Sequence, residues 1–132
     1  MLLSEVKISI VKNMEHSYKM PDDDILAVKT HEALLWVATK CEPSELIRDT
    51  MAEADERVFR YLKDLKFIVI PEKPNFEIPD KHLMMDEALS YAVINFVCFL
   101  LSGEEKFKSI CDMWIFEYRR NDLNGFLSEE IE

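Results

Sequence analysis

Sixteen consecutive residues, Ala88 to Gly103, carry no charge, and within Ala88 to Leu101 only Ser90 and Asn95 are clearly polar. This run limits what the rest of the chain can do. It falls short of the roughly 20 apolar residues that a helix needs to span a bilayer, so it is expected as a helix buried in protein. A helix apolar nearly all round must be covered on most sides. A chain of 132 residues supplies few elements for that task, which points to help from other subunits. Asp80 or Asp86 opens the helix, and Ser102 and Gly103 end it, glycine being the residue that most readily takes the left-handed conformation of a helix stop.

The elements that could cover this helix are separated by Pro21, Pro43, Pro71, Pro74 and Pro79. From Ser4 to about Glu15, Leu3, Val6, Ile10, Met14 and Tyr18 recur at helical spacing with Ser4 as the expected N-cap, although Val6, Ile8 and Ile10 also alternate as a strand would. Asp22, Asp23 and Asp24 precede a periodic segment that runs to Lys40, where carboxylates can accept the free N–H groups of a first turn and complement the helix dipole. A calcium loop does not fit them. It needs alternating oxygen ligands and a turn glycine, whereas Ile25, Leu26 and Ala27 follow directly. Ser44 to Met51 is expected as a short helix after Pro43. Val58 to Leu62 and Leu65 to Ile70 read as a hairpin about Lys63-Asp64, a turn without the favoured Gly or Asn. Glu104 and Glu105 start a last helix with a core stripe of Phe107, Ile110, Cys111, Trp114 and Tyr118. The expected fold is therefore mainly α, a bundle of four to five helices with one short β-hairpin between the N-terminal and C-terminal helices. It forms a single domain, residues 1–132, in which 122–132 is an extended or flexible tail.

Composition narrows function chiefly by exclusion. With 26 acidic and 16 basic side chains the net charge is −10, the wrong sign for binding driven by counterion release from nucleic acid. Only Gly103 and Gly125 are glycine, so no glycine-rich phosphate loop exists. A hydrophobic content of 48% excludes disorder as the main state. Leu2 and Leu3 are followed at once by Ser4, Glu5 and Lys7, which is not a signal peptide, and three cysteines without paired spacing fit a reducing compartment.

No catalytic, cofactor-binding or metal-ligating set emerges. His16, His31 and His82 lack zinc-site spacing, and His82 with Asp86 is explained more simply as a pair at a helix start. Cys98 and Cys111 fall on packing positions, while Cys41 at a helix end could be exposed. No serine sits in a G-x-S-x-G elbow. An enzyme is not expected.

Protein contact is the chemistry that remains. Trp36 lies on the charged side of its helix, either covered by neighbouring lysine stems or free as an interface anchor. Met113 and Phe116 form a second apolar side of the last helix beside Arg119 and Arg120, continuing from Tyr118 toward the apolar tail residues Phe126 and Leu127. Residues 80–132 hold 11 acidic and 5 basic side chains, so more than half of the excess negative charge lies there.

The order of elements carries a resemblance. Two N-terminal helices, a hairpin from Arg57 to Ile70 ending in Pro71, an apolar helix opening Asp86-Glu87-Ala88-Leu89, and a Leu100-Leu101-Ser102-Gly103-Glu104-Glu105-Lys106-Phe107 junction into a Tyr118-bearing helix resemble the head-to-tail connector, or adaptor, proteins of tailed bacteriophages. The resemblance implies a non-enzymatic virion protein without cofactors, made in the host cytoplasm. It would form a homo-oligomeric ring, typically of twelve copies, under the portal at the head-tail junction. Its partners would be copies of itself, the portal protein and the next neck or tail protein, with no membrane. DNA would pass the channel without specific binding, since an acidic lumen repels it, and the segment from Tyr118 to Glu132 would dock on the portal. The alternative from the residues alone is a small acidic helical regulator or inhibitor of one protein partner, including a nucleic-acid mimic, which needs carboxylates spaced like phosphates on one exposed face.

Overall fold

The computed structural model describes residues 1–14, 19–49 and 55–131, the last ten of these as helix only. The elements run α1 (Leu3–Asn13), α2 (Asp23–Lys40), a 3-10 turn (Ser44–Leu46), β1 (Ile47–Arg48), β2 (Val58–Tyr61), β3 (Phe67–Val69), α3 (Glu87–Ser102) and α4 (Glu105–Ile131). The fold is mainly α, with a short β element between the helices.

α3 occupies the centre, as its sequence requires. Leu89, Ala92, Val93, Ile94, Phe96, Val97 and Cys98 are buried, and α4, α2 and α1 all pack on it. Its two polar members stay inside by bonding one turn back: Ser90 Oγ donates to the Asp86 carbonyl and Asn95 Nδ2 to the Tyr91 carbonyl, so neither leaves a bare polar group in the core. Gly103 takes φ +73° and its N–H returns to the Phe99 carbonyl, stopping the helix at the expected place. The chain reverses within two residues. Trp114 then stacks on Tyr91 and Tyr118 reaches Asp86, so α4 runs back along α3.

The first helix settles the ambiguity near Val6 in favour of α. Leu3, Val6, Ile10 and Met14 are buried along one stripe, whereas a strand would have buried Ile8, which is exposed. Tyr18 lies outside the described residues. Ser4 is not its cap. Helix α1 starts a residue earlier, because the loop at residues 79–81 supplies acceptors: Leu3 N–H donates to the Lys81 carbonyl and Ser4 N–H to the Pro79 carbonyl. At α2 the aspartates act as expected, with the Asp22 carboxylate accepting the Ile25 N–H. Asp23 pairs with Lys7 of α1 at 2.8 Å.

Between the helices the structure differs from expectation. Ser44 to Leu46 makes a single 3-10 turn, and Ile47–Arg48 is a strand, where a helix through Met51 was expected. Met51 itself lies outside the described residues. The hairpin is one part of a three-stranded antiparallel sheet of order β1-β3-β2, with Ile47 opposite Ile68 and Arg60 opposite Ile68 on the other side. Phe67, Ile68 and Val69 of the central strand are buried, so the extra strand covers the edge that a two-strand hairpin would leave. Two arginines tie the sheet down. Arg48 forms a bidentate pair with Glu56, at 3.0 and 2.7 Å.

Arg60 reaches across to α2 instead, donating from Nε to the Ala38 carbonyl at 3.0 Å and from Nη2 to the Cys41 carbonyl at 2.7 Å. It thus caps the helix end with a cation, where the dipole is negative. Arg60→Met keeps most of the stem but abandons these acceptors. It should lower stability by about 1–2 kcal/mol in urea unfolding.

Candidate functional site

Helix α4 has two faces of different fate. Phe107, Cys111 and Ile115 are buried against the body, and Trp114 and Tyr118 are half-buried beside them. Ile110, expected in this stripe, turns outward. With Met113 (53% exposed) and Phe116 (61% exposed) it forms an apolar arc on solvent. The reason is periodic: 107, 111 and 115 repeat every four residues and follow the core, and 110, 113 and 116 trail round the other side. Charges flank the arc but neutralise one another, Lys108 pairing with Asp112 at 3.3 Å and Arg120 with Glu117 at 2.7 Å. The arc is thus an uncharged apolar strip, the composition of an interface centre.

The other expected contact residues divide between the fold and the surface. Trp36 belongs to the fold: its ring stacks on Phe96 of α3 with centroids 4.9 Å apart, and the ammonium groups of Lys40 and Lys108 lie 4.5 and 5.7 Å from its centre. Tyr118 is likewise committed. Its hydroxyl donates to Asp86 at 2.7 Å and sits 3.2 Å from the Ser44 N–H. Arg119 is exposed and lines a cleft of about 380 Å³ with Thr39, Lys40, Glu42 and Arg60, and Arg120 is exposed in its pair with Glu117. The side chains of Phe126 and Leu127 lie outside the described residues. Helix α4 itself continues to Ile131, where an extended or flexible tail was expected from residue 122.

Sequence reasoning missed the residue that organises this end of the molecule. Asp86 precedes α3, yet its carboxylate turns away to accept from Ser44 Oγ (2.7 Å), Ser44 N–H (3.0 Å), Glu45 N–H (2.8 Å) and Tyr118 (2.7 Å). Burial alone would raise its pKa, but these donors together outweigh burial and hold it below the usual carboxylate value. Tyr118 moves the opposite way, upward, through burial first and then the neighbouring Asp86 charge. The pair expected between His82 and Asp86 does not form. His82 stays ahead of the helix in a bridge to Leu2, and Asp86 is occupied elsewhere.

All three cysteines are buried, including Cys41, whose place at a helix end left exposure open but whose thiol folds onto the Val37 carbonyl at 3.3 Å. Burial pushes the Cys98 thiol up to about 11 and that of Cys111 up to about 12, so both stay protonated at neutral pH. Among the described residues no group of three or more His, Cys, Asp or Glu side chains could hold a metal ion, and no helix is long and apolar enough to cross a membrane. Comparison with protein-family models, curated proteins and solved structures finds no match for this chain.

Proposed function

We propose that the protein is a structural adaptor subunit that assembles as a ring under the portal of a tailed phage, extends the DNA channel and connects head to tail. The observation that carries this reading is the uncharged apolar arc of Ile110, Met113 and Phe116 on α4, turned away from a core that α4 closes with its other face. A helix that does both is a rigid docking platform, since its outer side chains are held by the packing of its inner ones. The order of elements and the resemblance concentrated at about residues 80–120 supply the kind of assembly. In this reading the arc, with Arg119, Arg120, Phe126 and Leu127 beyond it, meets the portal, and Trp36 supports α2 from within. A phosphate-mimicking regulator is disfavoured by the pairing of surface acids with cations, as in Lys7–Asp23, Lys29–Glu32, Lys108–Asp112 and Arg120–Glu117.

Native mass spectrometry and negative-stain imaging of the purified chain with a candidate portal test the proposal. A ring bound to the portal is the expected outcome, and the paired substitution Met113→Glu with Phe116→Glu should weaken portal binding at least tenfold while leaving the circular dichroism spectrum unchanged. A chain that stays monomeric and shows no portal affinity would overturn it.

A further inference from the structure

The tip of the β2–β3 hairpin is built against local preference. Asp64 and Leu65 both have positive φ, 60° and 63°, and the Lys66 N–H closes the turn on the Lys63 carbonyl at 3.3 Å. Two left-handed central residues are the φ signature of the tight hairpin turn that favours Asn-Gly or Asp-Gly. Asp tolerates it. Leucine does not, because its Cβ crowds the carbonyl in that region. The same Leu65 is 91% exposed, and Tyr61, on edge strand β2 of the same hairpin, is 77% exposed, its ring meeting Phe67 edge-on. Within the monomer this leucine therefore carries backbone strain and an uncovered apolar side chain, with no contact in return. Strain retained at such a position points to a role outside the fold.

The charge around the tip narrows what it meets. Residues 57–66 hold Arg57, Arg60, Lys63 and Lys66 against Asp64, a cationic stretch in a chain of net charge −10. Lys63 and Lys66 are exposed on either side of Leu65, whereas Arg60 is bound to the end of α2. Among the described residues, helices α1, α2 and α4 each carry two or more exposed large apolar side chains as candidate receivers. The α4 arc is flanked by pairs that cancel. The α1 pair, Ile8 and Val11, is flanked by Lys12, exposed Glu5 and a Lys7 paired with Asp23, so it offers a cationic tip no net negative charge. The α2 pair, Ile25 and Val28, has exposed Asp22, Asp24 and Glu32 along the same helix, with Lys29 bridged to Glu32. Of these three helix faces, the α2 face combines an apolar centre with acidic flanks, Asp22 and Asp24.

We propose that the hairpin tip is a self-association element: Leu65 and Tyr61 of one copy seat on Ile25 and Val28 of the next, with Lys63 and Lys66 facing Asp22 and Asp24. The occupant is a second copy of this chain, chosen by charge complementarity. Tip and receiver are different surfaces, so the contact is head-to-tail, the kind that generates a closed ring when the rotation per subunit divides the circle. This deepens the ring reading and rests on it, assigning the subunit contact to surfaces distinct from the α4 arc.

Sedimentation velocity over a concentration series tests the contact without a portal. Leu65→Asp suits the left-handed backbone and should leave the fold intact, and it should weaken self-association at least tenfold. Leu65→Gly should do the same while raising the thermal midpoint by a few degrees, since it removes both the anchor and the strain. Ile25→Asp disables the receiver. A mixture of the Leu65→Asp and Ile25→Asp chains retains one intact tip and one intact receiver per pair, so it should form a 1:1 dimer that neither chain forms alone. Wild-type association that survives all three substitutions would overturn the contact and leave the ring reading standing, as would a mixture that stays monomeric. A wild-type chain monomeric throughout the series would overturn the contact even if it binds a portal, and portal binding is the separate measurement on which the ring reading stands.

Discussion

Trp36→Ala is expected to cost about 3–4 kcal/mol of stability, the range for removing a large aromatic that bridges two helices. The loss has two parts. One is the 4.9 Å stack on Phe96, which joins α2 to the central helix at an interplanar angle of 12°. The other is the contact of Lys40 and Lys108 with the ring, which brings a cation from α2 and one from α4 over the same indole, each worth about 0.5–1 kcal/mol at an exposed site. Trp36→Phe should behave differently. It keeps a ring for the stack and removes an indole N–H that is buried without an acceptor among the described residues. Since an unmet buried donor itself costs about 1–3 kcal/mol, the loss of ring area and the loss of that penalty should nearly cancel. Urea unfolding of both variants checks this. If Trp36 were an interface anchor rather than an internal bridge, the Ala variant would unfold at nearly the wild-type midpoint and fail only in partner binding.

The two explanations of Trp36 stood level in the sequence because periodicity places a side chain on a face but does not say which other element lies over that face. Lys108 is 72 positions away and joins the ring only because Gly103 turns α4 back along α3. The same limit explains the other differences. Helices α1 to α4 were legible from apolar spacing, the Asp22 cap and the Gly103 stop, all signals contained within one turn. Strand β1 was not, since Ile47–Arg48 has no strand pattern of its own and exists by pairing with β3 twenty residues on. The start of α1 moved because its acceptors come from residues 79–81. The exposed arc was half-legible. Met113 and Phe116 were placed correctly on an outer face, while Ile110 was assigned to the core because it stands three residues from Phe107, a spacing that serves either side of the stripe. Leu65 gave no warning beyond a turn lacking Gly or Asn, and its meaning depends on a dihedral angle and an exposure that no spacing encodes.

Asp86→Ala should lower stability by about 2–3 kcal/mol at neutral pH, because a carboxylate with four donors is lost and those donors belong to two separate segments, the 3-10 turn and α4. Asp86 occupies the N-cap position of α3 but does not cap α3 with its side chain. It caps the 3-10 turn across the structure, taking the Ser44 and Glu45 N–H groups that the turn leaves free, and adds the Tyr118 hydroxyl from α4. The dependence on pH separates this charged knot from mere packing. Because the folded-state pKa of Asp86 lies below its ordinary value of 3.8, its contribution is complete above that value and disappears as the pH falls through the lower, folded value. The gap between wild type and Asp86→Ala should therefore narrow as the pH falls below about 4. Tyr118 works at the other end. Its folded-state pKa is raised, so its share is complete below the unfolded value near 10 and is lost as the pH rises through the folded one. Tyr118→Phe should cost about 1 kcal/mol at neutral pH and abolish that alkaline decline. Removing both side chains together should cost less than the sum of the single losses, since they share one hydrogen bond. A gap between wild type and Asp86→Ala that held constant into acid would place the stabilisation in the packing of the side chain, and the carboxylate's charge would then have no part in fastening α4 to the turn.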